Sequence, residues 1–133
     1  MQKFLPLIGR VLLALIFIIA GFHKITGFAG TAEMMTGRGL PLPQVLLAAT
    51  ILIELGGGLM ILLGWHARWA ALAIFLFLIP TTLIFHAYWS VDPSQPLMVK
   101  NQMNQFMKNL AIMGGMLYVV AYGSGPFSLK KSN

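Results

Sequence analysis

Apolar residues in this chain run in four long blocks, about Phe4–Lys24, Pro43–Trp65, Arg68–Trp89 and Gln102–Tyr122. Each is close to the ~20 residues an α-helix needs to cross ~30 Å of hydrocarbon. The pattern predicts an all-α membrane protein, an antiparallel four-transmembrane-helix bundle making one domain over residues 1–133. The apolar run after Lys3 has no small-residue cleavage site in a suitable place and three more blocks follow, so it reads as a permanent helix rather than a signal peptide.

Polar and glycine-rich stretches separate the blocks. The first, Ile25–Leu42, ends in a proline pair, Pro41 and Pro43, which keeps Leu40 and Leu42 out of the helical region and marks a helix start. Within it, Thr31–Met35 reads as a short amphipathic turn at the membrane surface. The second, near Gly64–Arg68, is short enough to force a helical hairpin. The third, Ser90–Lys100, carries Asp92, Pro93 and Pro96 and reads as an ordered loop, and Gly123 ends the last helix. An even number of spans places both termini on one side. Lys3, Arg10, Arg68, Lys130 and Lys131 favour that side being cytoplasmic, over Lys24, Arg38, Lys100 and Lys108.

Composition sharpens this picture. The chain is 58% hydrophobic and 9% charged, with a mean hydropathy of +0.82, whereas soluble domains carry roughly 25% charged residues. Cysteine is absent, so its side chains do no thiol–disulfide chemistry. The net charge of +6 suits anionic lipid headgroups. The basic residues are scattered and form no face for nucleic acid.

Candidate chemistry begins with Glu54, one of three carboxylates, inside ATILIELGGGLMILLGW. A carboxylate at membrane depth is costly and marks a functional or partner-pairing position. Arg10 is the first candidate partner. At ~1.5 Å of rise per residue, Arg10 lies about 9 Å and Glu54 about 14 Å from the inner edge of a ~30 Å core. Such an Arg–carboxylate ion pair would lower the cost of burying both. Snorkelling of Arg10 would leave Glu54 needing another partner, such as Lys108, or a proton. Arg10, Ala14, Phe17, Gly21 and Lys24 share one helical face. Gly57 and Gly58 lie on the side of Glu54, where another helix or a flat ligand can approach.

Further polar positions fall in the outer half. His86 follows Thr82 by four residues, and Pro80, inside the same block, frees the Leu76 carbonyl and predicts a kink. Lys108 and Asn109 must lie within the last span, because Leu110–Tyr122 alone gives only about 20 Å of helix. His23 and Lys24 close the first block. Together they predict a polar pocket, with Glu54 and His86 as the candidates for catalysis and His23, Lys24, Gly57, Gly58, Lys108 and Asn109 as ligand contacts.

At these residues the chain resembles the DoxX family of small bacterial membrane proteins. The matching pieces are GRVLLALIFIIAGFHKITGFAGT, GLPLP, ELGGGLMILLGWHARWAAL, IFHAYW, FMKNLAIMGG and GSGPFSL. The resemblance implies a four-helix protein of the bacterial inner (cytoplasmic) membrane. It also implies an association with redox enzymes, since some relatives are subunits of quinone-linked oxidoreductases.

Three functions compete. The first is an assembly or anchoring subunit that holds a membrane or peripheral redox protein. The second is an oxidoreductase subunit whose Glu/His/Lys pocket binds a membrane quinone. The third is a small proton-coupled transporter, for which four helices frame a path only in a homo-oligomer. Haem held by His23 and His86 is a weaker reading, since both positions suit interfacial histidines. No metal-ligand spacing is present.

Overall fold

A computed structural model describes residues 4–129, and Lys3, Lys130 and Lys131, weighed for the orientation, lie outside them. The described residues fold into helices without strands: α1 (Phe4–Thr26), α2 (Phe28–Gly37), α3 (Pro43–Leu63), α4 (Ala67–Phe85) and α5 (Pro96–Tyr122). Proline opens α3 and α5, where its missing N–H costs nothing. Gly64, at φ 70°, ends α3 in the left-handed conformation that glycine takes without strain. One π-helical turn, Leu52–Gly56, interrupts α3 around Glu54.

Three departures from the sequence pattern stand out. The connector after α1 forms a ten-residue helix, α2, rather than a short turn. The third block stops being α-helical at Phe85, and a 3₁₀ turn, Tyr88–Ser90, follows. The last helix starts at Pro96 instead of Gln102, taking up half of the expected loop. In the remaining loop, the Ser94 N–H donates to Asp92 at 3.0 Å and holds that carboxyl below its usual pKa.

Three helical stretches are long and apolar enough to cross a membrane: Phe4–Thr26, Pro43–Leu63 and Ala67–Ser90, with mean hydropathies of 2.4, 2.3 and 2.1. Helix α5 has 27 residues, ample length by its rise, but its first half is polar. Leucines such as Leu12 and Leu52 stand outward, 66% and 74% exposed. Hydrocarbon is the solvent that makes such a surface stable.

Packing runs α1 on α3, α3 on α4 and α4 on α5, with α2 lying on α3. The main core is small and tightly set: Ala14, Phe17, Ile61, Ala70, Ala71, Ile74, Leu78 and Met116. Small residues let the backbones approach, as expected where lipid removes the hydrophobic drive for helix association. A Cβ on Gly21 would lie 2.9 Å from the Leu55 Cβ, and one on Gly58 would lie 3.3 Å from the Ala14 carbonyl oxygen. A second, separate cluster of Ala32, Met35 and Leu47 fixes α2 to the first half of α3.

The buried residues of α1 are Arg10, Ala14, Phe17 and Gly21, four of the five on the stripe read from the sequence, with Lys24 at its end half-buried. Arg10 does not pair with Glu54. Its Nη2 donates to the carbonyls of Phe127 at 2.9 Å and Pro126 at 3.3 Å. The chain after α5 folds back across this end of the molecule. Phe127 stacks on Phe4 with ring centroids 5.3 Å apart, and the Leu129 N–H donates to the Leu63 carbonyl at 2.9 Å.

Candidate polar cavity and its surroundings

The cavity lies at the other end, where α1 and α4 finish and α5 begins. It encloses about 290 Å³, at the lower edge of the ~300–1,000 Å³ typical of ligand pockets. Glu54 enters from the π-helical turn of α3. Such a turn inserts a residue into the helix and often occurs at functional sites. The carboxylate is 6% exposed. Lys24, two residues before the end of α1, reaches it with Nζ 2.7 Å from Oε1. The expected Arg10–Glu54 pair is therefore corrected to Lys24–Glu54. The reason is reach: the long Lys24 side chain comes inward from the near end, while Arg10 finds backbone acceptors at the far end.

His86 follows α4 as its C-terminal cap residue and also lines the cavity. Its Nδ1 lies 2.8 Å from Gln102 Oε1. With the amide so oriented, Nδ1 donates and a neutral ring keeps Nε2 as an acceptor. Met34 and Met35 of α2, Leu47, Phe77 and Phe85 supply apolar wall. At the mouth Arg38 donates to the Ile84 carbonyl at 2.9 Å, with its guanidinium 5.4 Å from the Phe85 ring centre. This joins the end of α2 to the end of α4.

Of the residues singled out from the sequence, Lys24, Glu54 and His86 converge on this cavity. The others do not line it. Gly57 and Gly58 are filled by helix packing, against Ile74 on one side and Ile18 with Ala14 on the other. His23 is exposed on an outer groove with Leu12, Leu15 and Ile16, so it shares no pocket with His86 for ligating haem. Lys108 is exposed and hydrogen-bonded to Gln105. Asn109 is buried, but its Nδ2 donates to Thr82 Oγ1 at 3.1 Å and ties α5 to α4.

Thr31, Thr50, Thr81, Arg38 and Gln102 line the cavity and were not picked out as site residues. A signal existed for two of them: Thr50 precedes Glu54 by one helical turn, and Thr81 adjoins Pro80. The contribution of α2 had none, because its part of the wall depends on how it folds onto α3.

Residues 5–87 match the family model described as DoxX. The chain belongs to the DoxX family. It is 39% identical to the inner membrane protein YqjF of Escherichia coli, over 94% of this chain and 88% of that one. Identity to the inner membrane protein YphA of the same organism is 35%, over 96% and 89% of the two chains. The Surfeit locus protein 4 homolog of Schizosaccharomyces pombe is 27% identical over 96% of this chain but only 37% of its own length. No solved structure matches. Together with its apolar helices, these relatives mark this DoxX protein as an integral protein of the bacterial inner membrane.

Proposed function

We propose that this DoxX protein is the membrane subunit of a redox system and binds a membrane quinone in the cavity. On this reading α5 crosses the membrane with the three apolar spans, completing a four-helix bundle with cytoplasmic termini. The observation that carries the proposal is the make-up of the cavity. A wall of Phe77, Phe85, Met34 and Met35 is flanked by two polar pairs, Lys24–Glu54 and His86–Gln102, that enter from different helices. An apolar slot with a few converging polar groups is the general form of a ligand site.

A bound quinone would supply two-electron, two-proton chemistry. The chain's own residues hold and orient it. The Lys24 ammonium has three hydrogens and Glu54 occupies one direction, so the others remain for a ring oxygen. Glu54 and His86 Nε2 offer places to hold a proton. The aromatic and methionine side chains keep water from the ring. On this reading electrons come from a partner redox protein, and a chain without cysteine brings no thiol of its own.

The test is protein purified in mild detergent, with quinone in the lipid extract measured by mass spectrometry. About one quinone per chain is expected in the wild type, with a loss of at least fivefold in Phe77→Trp, which fills the slot, and in His86→Ala. Size-exclusion profiles establish that the variants fold. No quinone in the extract, and no uptake of an added short-tailed quinone, would defeat the proposal. A second reading, an assembly or anchoring subunit, is supported by Tyr88, Trp89 and Phe106. These rings pack edge to face with centroids 5.2 to 5.6 Å apart, and Trp89 is 57% exposed. Aromatic residues of this kind are enriched where proteins meet.

A further inference from the structure

We propose that the cavity prefers the reduced, hydroxyl-bearing form of its ligand, a quinol, over the oxidised quinone. This inference rests on the quinone reading above and specifies which redox form the site favours.

The basis is the hydrogen-bond inventory of the wall. Thr31, Thr50 and Thr81 line the cavity from three different helices. Each hydroxyl donates its single hydrogen to the backbone carbonyl four residues back, within its helix or, for Thr31, at the cap residue before it. The distances are 3.0 Å to Gly27, 2.9 Å to Leu46 and 2.9 Å to Phe77. A hydroxyl has one donor and two acceptor lone pairs. With the hydrogen committed to the helix, what each threonine can still offer a ligand is acceptance. Glu54 accepts as well, and His86 Nε2 does so once Nδ1 donates to Gln102.

Donors are present as well: the hydrogens of Lys24 not directed at Glu54, the N–H groups of Arg38 beyond the one bound to the Ile84 carbonyl, and the Gln102 amide nitrogen. They do not separate the two forms, because a quinol hydroxyl oxygen accepts from them as a quinone carbonyl does.

The two redox forms differ in what they ask of this wall. A quinone carries two carbonyl oxygens, which only accept. Its quinol carries two O–H groups, which donate. The threonines can meet a quinone carbonyl only by turning their hydrogens away from the helix, leaving the Gly27, Leu46 or Phe77 carbonyl with one bond fewer. A quinol O–H is accepted without any rearrangement. Sites built to pair one hydrogen-bonding pattern discriminate against the analogue lacking it, because their own polar groups are then left unpaired.

Reduction of the bound ligand takes up two electrons and two protons and converts both carbonyls to hydroxyls. Tighter binding of the reduced form therefore raises the midpoint potential of the bound couple. A tenfold preference corresponds to about 30 mV for a two-electron couple.

The experiment uses the full-length protein in detergent with a ubiquinone analogue bearing a decyl tail. Affinity is measured by equilibrium dialysis, under air for the oxidised form and anaerobically for the reduced form. The quinol is expected to bind at least tenfold more tightly. In the Thr50→Val and Thr81→Val double variant the ratio should fall below about threefold, chiefly through weaker quinol binding. Thr50→Ser with Thr81→Ser keeps both acceptors and should keep the ratio. Equal affinity for the two forms, or tighter quinone binding, would overturn this inference and leave the quinone site standing. Binding of neither form would overturn the quinone site itself. An unchanged ratio in the valine variant would remove the threonines as its cause.

Discussion

At the scale of single residues, the decisive contact is Lys24 Nζ to Glu54 Oε1 at 2.7 Å. Removing one member of a buried ion pair costs more than removing both, because it strands the other charge. Lys24→Met is therefore expected to lower stability by about 3 kcal/mol, the lower end for breaking a buried pair, since the lysine side chain is 30% exposed. The Lys24→Met, Glu54→Gln double variant should recover at least half of that loss in a double-mutant cycle, followed by thermal unfolding in detergent. Additive losses would show that the two side chains act independently. The sequence singled out Glu54, which is buried and ion-paired, as a carboxylate in need of a partner, because few explanations exist for one in a long apolar run. It pointed to the wrong cation. Depth along two helices can be worked out from residue numbers, but several cations lie at compatible depths, and side-chain reach separates them only in three dimensions.

At the scale of elements, close helix contact depends on where glycine sits. A Cβ at Gly21 would press on the Leu55 Cβ at 2.9 Å and the Leu55 backbone nitrogen at 3.1 Å, whereas one at Gly114 meets nothing within 4 Å. Gly21→Ala is expected to cost about 1–3 kcal/mol, as overpacking does. Gly114→Ala, in mid-helix α5, should be neutral or stabilise by up to about 1 kcal/mol, because alanine is the better helix former. Thermal unfolding of the two variants side by side checks both signs, and equal effects would contradict the packing assigned to α1 and α3. The three apolar spans were readable from block length alone. Helix α2 was not, because of its ten residues only Ala32 and Met35 are buried, too few to print a periodic pattern. The early start of α5 was hidden by the usual reading of proline as a breaker, although Pro96 occupies the first turn, where proline is welcome.

At the scale of the whole molecule, the two ends differ in kind. One holds a cavity beneath α2. The other is closed by the segment after α5, whose Pro126 and Phe127 carbonyls accept from Arg10, itself 3% exposed. A chain stopped after Gly123 leaves that guanidinium without these acceptors. The truncation should cost about 1.5–3 kcal/mol, the range for a hydrogen bond to a charged group, and Arg10→Met in the truncated chain should restore part of it. Equal thermal stability of the full and truncated chains would show that the closing segment contributes little. The amino-acid sequence by itself determined the solvent, the approximate bounds of the three apolar spans, the buried face of α1 and the need of Glu54 for a partner. These follow from local properties: block length, helical periodicity, and the cost of charge in hydrocarbon. Only the tertiary structure decided that Lys24 partners Glu54, that Arg10 holds the chain's end, that Gly57 and Gly58 serve packing, and that α2 completes the cavity wall. Each of those depends on which faces meet and how far a side chain reaches, and residue spacing along one helix carries no information about its neighbour.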